Sequence, residues 1–109
     1  MLTVREYIAR NGSSPFHKWF AALDATAAAK VTTAVHRLEL GNLSSVKGVG
    51  SGVFEYRIEF GPGYRVYFAK DGEAIFILLG GGTKKRQHFD IISARARWQD
   101  YKARKAREK

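Results

Sequence analysis

The spacing of apolar residues in the first half of the chain predicts one short strand followed by two helices. Residues 2 to 8 alternate loosely between apolar and polar types and are rich in β-branched and aromatic side chains, which favours a strand. Ser14 and Pro15 suit the N-cap and the first position of a helix, and apolar residues follow at helical spacing. The alanine-rich run from Ala25 to Leu40 ends at Gly41, a residue suited to a left-handed C-cap, and predicts a second helix.

In the second half of the chain the period of the pattern changes to two, which predicts an antiparallel meander. Residues 53–60 and 64–69 alternate between apolar and polar types, and the turn residues Gly61-Pro62-Gly63 separate them. A second tight turn at Asp71-Gly72 leads into the run from Glu73 to Leu79, which is apolar at nearly every position. We therefore expect this run to form a central strand that is covered on both faces.

The remaining segments predict two loops and a last helix. Residues 42–52 are rich in turn-forming types, and Gly80 to Arg86 is expected to be a flexible basic loop that ends the central strand. From Gln87 onward apolar residues return at helical spacing, which predicts a helix that frays between Lys102 and Lys109. The order strand, two helices, three-strand antiparallel meander and C-terminal helix indicates an α+β fold with the helices on one face of the sheet. A length of 109 residues fits one domain, residues 1–109.

Positive charge is concentrated at the end of the chain. The formal net charge is +9, and ten of the 19 Lys and Arg residues lie in the last 26 positions, against three acids. Such a cationic surface suits nucleic acid or an acidic protein, although a solvated helix face without a partner is the simpler alternative. An anionic membrane is a weaker third choice, because this segment lacks the long apolar face that insertion needs.

Several classes of chemistry are excluded by the residues that the sequence lacks. There is no cysteine, so disulfides, thiolate chemistry and Cys-ligated zinc are excluded. The three histidines are too dispersed for a metal motif, and the glycines before Thr83 lack the spacing of a nucleotide-binding loop. No signal peptide or apolar run long enough to span a membrane is evident, and we expect a cytoplasmic protein without cofactor or metal.

A charged and aromatic cluster is predicted on one open face of the meander. Glu55 and Arg57 share a face of their strand, and Arg65 and Tyr67 join them if the hairpin pairs in the expected register. Two guanidinium groups there would hold a phosphate, and the segment Lys84-Lys85-Arg86 leaves the neighbouring strand beside them. The alternative is a cross-strand ion-pair ladder, which is worth only about 0.2–1 kcal/mol per pair.

Two further side chains have a candidate role in this cluster. Tyr67 has the outward parity of a residue that stacks on a base. His88 follows the basic segment and suits proton transfer, with a surface histidine at a helix start as the alternative.

Three segments resemble those of a known family. They are Gly52-Val-Phe-Glu-Tyr-Arg-Ile, Gly61-Pro-Gly-Tyr-Arg-Val-Tyr-Phe and Ile77-Leu-Leu-Gly-Gly-Gly-Thr-Lys-Lys-Arg-Gln, followed by Asp90-Ile. Over nearly the whole chain this series resembles the HigB-like addiction-module killer proteins of the RelE/ParE toxin superfamily. The resemblance implies a RelE-like α+β fold and a cognate antitoxin, expected to be a small helix-turn-helix protein encoded alongside.

The same resemblance implies cleavage of mRNA on the ribosome by attack of the ribose 2′-hydroxyl on the adjacent phosphate, without a metal. Arg65 matches the arginine that stabilises the phosphate, and Lys84 and Arg86 match the basic residues after the last strand. Arg57 and Glu55 occupy the strand where relatives carry varied lysine, glutamate or histidine residues. Members of the family often have a catalytic tyrosine or histidine near the C-terminal end, where this chain has His88 and lacks the tyrosine. We expect additional RNA contacts from Tyr67, Lys85, Arg95 and Arg97.

Two alternatives to the endonuclease remain. The ParE branch of the superfamily inhibits DNA gyrase through protein contacts and cuts no RNA. A non-catalytic domain that binds RNA or the ribosome would share the basic surface and would have no turnover.

Overall fold

The computed structural model describes residues 1–108, which form one mixed sheet and three helices. The strands are β1 (Thr3–Glu6), β2 (Val46–Gly48), β3 (Val53–Ile58), β4 (Tyr64–Asp71) and β5 (Ile75–Thr83). The helices are α1 (Pro15–Ala21), α2 (Ala25–Glu39) and α3 (Gln87–Arg107), and a 3₁₀ turn, Lys84–Arg86, precedes α3. The sheet order is β1-β5-β4-β3-β2, with β1 parallel to β5 and every other pair antiparallel. The predicted α+β class and the meander are confirmed, and β5 is an interior strand between β1 and β4.

The start and end signals of α1 and α2 act as predicted. The Ser14 hydroxyl accepts a hydrogen bond from the His17 amide at 3.0 Å, and Pro15 begins the helix. At the end of α2 Gly41 has φ +78°, and the amide of Asn42 donates to the carbonyl of Arg37 at 2.9 Å. This left-handed cap satisfies carbonyl groups that the helix end would leave without partners.

The segment predicted as a loop at residues 42–52 contains β2. Its three residues pair antiparallel with the outer edge of β3, with Lys47 opposite Glu55. The prediction of an entirely irregular loop was therefore wrong. A strand of three residues is too short to show an alternating pattern, and its pairing partner determines its conformation.

The helices cover both faces of the sheet, which corrects the prediction that they pack on one. α1 and α2 lie against a core that includes Tyr56, Val66 and Phe68 of β3 and β4. On the opposite face, Ala94 and Trp98 of α3 pack against the strand side chains that point away from α1 and α2. The physical signal was present in the sequence, because β5 is apolar on both faces and needs a cover on each. The face that carries Glu55 and Arg65 is consequently not open.

The three glycines Gly80, Gly81 and Gly82 belong to β5 and do not end it, so the predicted flexible loop is also wrong. A register shift opposite Tyr67 forms a bulge, and it lets both Leu79 and Gly80 face α3. Each glycine leaves room for a neighbouring side chain: Arg97 at Gly80, Trp19 at Gly81 and Asp90 at Gly82. After the 3₁₀ turn, α3 continues to Arg107 without the expected fraying from Lys102, and Lys109 lies outside the described residues.

Gly81→Ala is expected to lower the free energy of unfolding by about 1–3 kcal/mol, the usual cost of overpacking. A Cβ atom on Gly81 would overlap the indole of Trp19, so the ring must move. Urea denaturation measures the change. Gly48→Ala is the matched control within a strand, because its nearest contact is 3.9 Å away on the Phe54 ring, and we expect a change within about 0.5 kcal/mol. Equal stability of the two variants would contradict this packing.

Candidate functional site

The register of the β3–β4 hairpin brings four of the proposed site residues together. Glu55 pairs with Tyr67, and Arg57 pairs with Arg65. Gln87, the first residue of α3, reaches down to the same place and completes what we call the arginine cluster: Glu55, Arg57, Arg65, Tyr67 and Gln87. The cluster thus lies between the sheet and the start of α3, whereas the sequence predicted that all helices lie on the other face of the sheet.

Glu55 is the centre of the arginine cluster and has no solvent-accessible surface. One carboxylate oxygen accepts a hydrogen bond from Arg57 Nε at 2.9 Å, and the other accepts from Gln87 Nε2 at 2.8 Å. Arg65 Nε lies 3.8 Å from the first oxygen. A buried carboxylate requires such partners because its desolvation is costly. Glu55 therefore holds Arg57 by a hydrogen bond and Arg65 by an ion pair, and Arg65 Nε has no hydrogen-bond partner among residues 1–108.

The two arginines differ in how far they reach solvent. The Arg57 side chain is 37% exposed, whereas the Arg65 side chain is 5% exposed. Arg65 Nη1 donates to the carbonyl of Tyr64 at 3.3 Å and lies beside Gly63 in the β3–β4 turn. The Lys84 amide donates to the Gly63 carbonyl at 2.7 Å, so the start of the basic segment is fixed next to Arg65. We call Lys84, Lys85 and Arg86, all exposed, the basic rim of the cluster.

Tyr67 is fully buried, which corrects the expectation that it stacks on an RNA base. Its hydroxyl has no hydrogen-bond partner among residues 1–108. Burial, followed by the charge of nearby Glu55, raises the pKa of Tyr67 well above its ordinary value, so the phenol stays protonated. Tyr67 therefore contributes a neutral O–H group inside the cluster and no stacking surface outside it.

Asp90 is a carboxylate near the cluster that sequence reasoning did not select. Its side chain lies against Gly82, where a Cβ atom would leave it no room, and its Oδ2 is buried without a hydrogen bond within the described chain. Burial raises the pKa of Asp90, while the charges of Arg86 and Arg97 act in the opposite direction. In the sequence, the only sign of this contact is Gly82, which lies two residues before the basic rim and has no side chain to displace Asp90.

Other predicted site residues lie away from the arginine cluster or have structural partners. His88 is exposed, and its ring centroid lies 5.7 Å from that of Phe89 on the outer side of α3. Arg95 Nε donates to the carbonyl of Val49 at 3.0 Å, and Arg97 Nη1 donates to that of Leu79 at 2.9 Å. The two arginines thus tie α3 to the β2–β3 connection and to β5, which charge counting did not reveal.

Acidic residues hold the second half of α3 against β4 and against Tyr7, which follows β1. Asp71 accepts from Lys105 Nζ at 2.6 Å and from the Tyr101 hydroxyl at 2.5 Å. Asp100 accepts from the Tyr7 hydroxyl at 2.7 Å and pairs with Arg104 at 2.8 Å. The positive charge near the end of the chain is therefore partly neutralised within the molecule, whereas Lys84, Lys85 and Arg86 form no ion pair among residues 1–108.

Asp71→Asn and Asp90→Asn are expected to change stability in opposite directions at pH 7. The hydrogen bonds from Lys105 and then Tyr101 lower the pKa of Asp71, so its ionised form stabilises the fold above about pH 4, the ordinary Asp pKa. That contribution is lost as the pH falls through the lowered pKa. The pKa of Asp90 is raised, so its protonated form favours the folded state. This contribution to stability is fully present below about pH 4 and is lost as the pH rises through the raised pKa.

We therefore expect Asp71→Asn to destabilise the protein at pH 7 and Asp90→Asn to stabilise it. Both differences should shrink in acid. Urea denaturation of the wild type and both variants at a series of pH values measures this. The same sign for the two variants at pH 7 would contradict the assigned environments.

The part of the chain that the structure describes contains neither a cluster of metal-ligating side chains nor a membrane-spanning helix. Residues 1–108 contain no group of three or more His, Asp or Glu side chains placed to hold a metal ion. Within the same residues, no helix has the length and apolar character needed to cross a bilayer.

This fold and site define the class of the protein. A five-stranded sheet with a helical pair on one face and a long C-terminal helix on the other is consistent with the RelE-like fold. The chain matches the family described as "Phage derived protein Gp49-like (DUF891)" over residues 18–108 and belongs to that family. It is a family of RelE/HigB-like toxins in toxin–antitoxin systems.

The chain is also similar to a protein from Haemophilus influenzae. It is 41% identical over 81 residues, which are 73% of this chain and 82% of the relative's length. Its description is "Uncharacterized protein", so it adds similarity without an activity.

Proposed function

We propose that this protein is the toxin of a toxin–antitoxin pair and acts as a ribosome-dependent mRNA endonuclease. Membership of a RelE/HigB-like toxin family supports the toxin role and implies a cognate antitoxin. The observation that carries the nuclease proposal is the arginine cluster, in which Glu55 holds Arg57 and Arg65 side by side next to the basic rim. Such an arrangement suits a phosphodiester whose negative charge increases during reaction.

In the proposed reaction the ribose 2′-oxygen forms a bond to the adjacent phosphorus, and the bond from phosphorus to the 5′-oxygen breaks. The 2′-hydroxyl loses a proton, the leaving 5′-oxygen gains one, and the products are a 2′,3′-cyclic phosphate and a 5′-hydroxyl end. Arg57, which reaches solvent, would contact the phosphate first, and Arg65 with Lys84 would stabilise the charge of the transition state.

The remaining side chains have supporting roles in this proposal. Glu55 has both oxygens engaged and no exposure, so we assign it the orientation of the arginines and not the role of general base. His88 lies outside the arginine cluster but close in sequence to the basic rim, and we assign it proton transfer to RNA bound along the rim. Arg86 and Lys85 would bind flanking phosphates, whereas Arg95 and Arg97 would add positive potential while they hold α3.

Expression of the chain alone in a bacterium, followed by mapping of RNA ends, tests the proposal. We expect growth arrest and new mRNA 5′ ends that carry a hydroxyl and follow the codon phase of translation. Intact mRNA together with loss of negative supercoiling by DNA gyrase would instead indicate the ParE-like activity. RNA binding with a steep salt dependence and no cleavage would indicate a binding domain without turnover.

A further inference from the structure

The outer side of the first turns of α3 carries an apolar stripe that nothing in residues 1–108 covers. Phe89 is 64% exposed and Ile92 is 51% exposed, and Ala96 lies on the same side of the helix. Their spacing of three and then four residues aligns them along the helix axis. The opposite side of α3 buries Ala94 and Trp98 against the sheet. The helix is therefore apolar on two sides, and only one of them is packed.

This stripe is continuous with the basic rim. The Arg86 guanidinium lies 5.9 Å from the centroid of the Phe89 ring. None of the rim residues Lys84, Lys85 and Arg86 forms an ion pair within the described residues. The exposed residues between positions 84 and 99 include four Lys or Arg, one His and no acid. We call Phe89, Ile92 and Ala96 with the basic rim the docking face.

We propose that the docking face binds an acidic amphipathic helix of the co-encoded antitoxin. The inference rests on the toxin role proposed above. Such a helix would place apolar residues against Phe89 and Ile92 and Asp or Glu residues against the rim, which matches both the shape and the charge of this face. Nucleic acid fits the rim, and the exposed Phe89 ring could stack on a base, but Ile92 and Ala96 offer no aromatic ring, so nucleic acid would leave most of the stripe uncovered.

The position of the docking face explains how a bound antitoxin helix would inhibit the toxin. The first turn of α3 presents Phe89 outward, and in the same turn Gln87 contacts Glu55 in the arginine cluster. A partner helix on the docking face would cover Lys84 and Arg86, which the proposed reaction requires for the RNA. Inhibition would then come from occupation of the rim, while the buried cluster stays assembled.

Affinity measurements with substituted toxins test the docking face. The probe is the small protein encoded beside this chain, purified and titrated into the toxin by calorimetry. We expect Ile92→Glu to weaken binding at least tenfold, because it removes an apolar contact and repels an acidic partner. Ile92→Lys should weaken binding less, since it keeps the favourable charge. Ala29→Glu, on the exposed side of α2, is the control with the same charge change and should bind as the wild type does.

Lysine labelling gives a second measurement that does not depend on a substituted protein. Acetylation of the free toxin and of the complex, read by mass spectrometry, should show Lys84 and Lys85 protected in the complex. Lys18 and Lys47, which are exposed elsewhere, should keep their reactivity. Protection of Lys18 and Lys47 without protection of the rim would overturn the proposal.

RNA cleavage by the unbound variants separates this inference from the proposed nuclease. If Ile92→Glu weakens antitoxin binding while cleavage and thermal unfolding stay unchanged, the docking face is supported. If it weakens RNA binding and leaves antitoxin affinity unchanged, the face belongs to nucleic acid and the proposal is overturned. A wild-type toxin that cuts no RNA would contradict the nuclease alone, since the antitoxin affinities still decide the docking face.

Discussion

Arg65→Ala is expected to abolish growth arrest and to reduce mRNA cleavage by about 10²–10³-fold, the usual effect of removing one donor to a developing negative charge. Arg65 lies opposite Arg57 and next to the anchored backbone of Lys84, so its truncation removes one of the two paired guanidinium groups. Arg65→Lys should recover part of the activity at most, because an ammonium group lacks the planar fork that contacts two oxygens. Primer extension on a translated mRNA measures the cleavage rate.

Stability must be followed in the same Arg65 variants, since the residue is 4% exposed and its loss leaves space beside Glu55. Glu55 keeps its hydrogen bonds from Arg57 and Gln87, and we therefore expect the variant to fold. Arg37→Ala, on the exposed side of α2, is the matched control that removes one positive charge and should cut RNA at the wild-type rate. A folded Arg65→Ala protein with full cleavage would contradict the role of the arginine cluster.

Trp98→Ala should cause the largest loss of stability, about 3–5 kcal/mol by comparison with other large core truncations. The Trp98 side chain is 7% exposed, its ring stacks on Tyr101 at 5.3 Å between centroids, and its indole lies against Gly52. Because a domain is typically stable by only about 5–15 kcal/mol in total, such a loss leaves little reserve. Urea denaturation followed by circular dichroism measures the change.

Trp19→Ala is the natural comparison for Trp98→Ala, because both changes remove the same side chain. Trp19 is only partly buried at the edge of the other core, so its removal should cost less. Trp98 also holds α3 against the sheet, and loss of this contact should weaken the hydrogen bond from Gln87 to Glu55. Equal destabilisation by the two changes would contradict the role of Trp98 as the main anchor of α3.

Sequence patterns predicted most elements of this fold and failed where tertiary contacts override local preference. Alternation in β3 and β4 correctly separated the core positions Tyr56 and Val66 from the side that carries Arg65. Three consecutive glycines looked like the end of a strand, yet they extend β5 because Arg97, Trp19 and Asp90 need the space that side chains would fill. Local propensity cannot report such close approaches between distant residues.

The candidate site likewise contains residues that the sequence could group and residues that only the tertiary structure brings together. Glu55, Arg57 and Arg65 could be grouped from the sequence, because hairpin partners are close in the chain and alternation fixes which face they share. Gln87 and Asp90 could not, since they reach the cluster from a helix whose position depends on packing of Ala94 and Trp98. The same packing buries Tyr67 and engages Arg95 and Arg97 in structural hydrogen bonds.

The amino-acid order alone therefore specifies the α+β class, the meander and the pairing of Arg57 with Arg65, because these follow from short-range periodicity and turn chemistry. Only the folded structure decides that α3 covers this face, since the choice depends on apolar surfaces far apart in sequence. Because α3 covers this face, the Glu55 carboxylate is buried and lies within ion-pair distance of Arg57 and Arg65. The basic rim and the apolar stripe of α3 stay accessible to solvent.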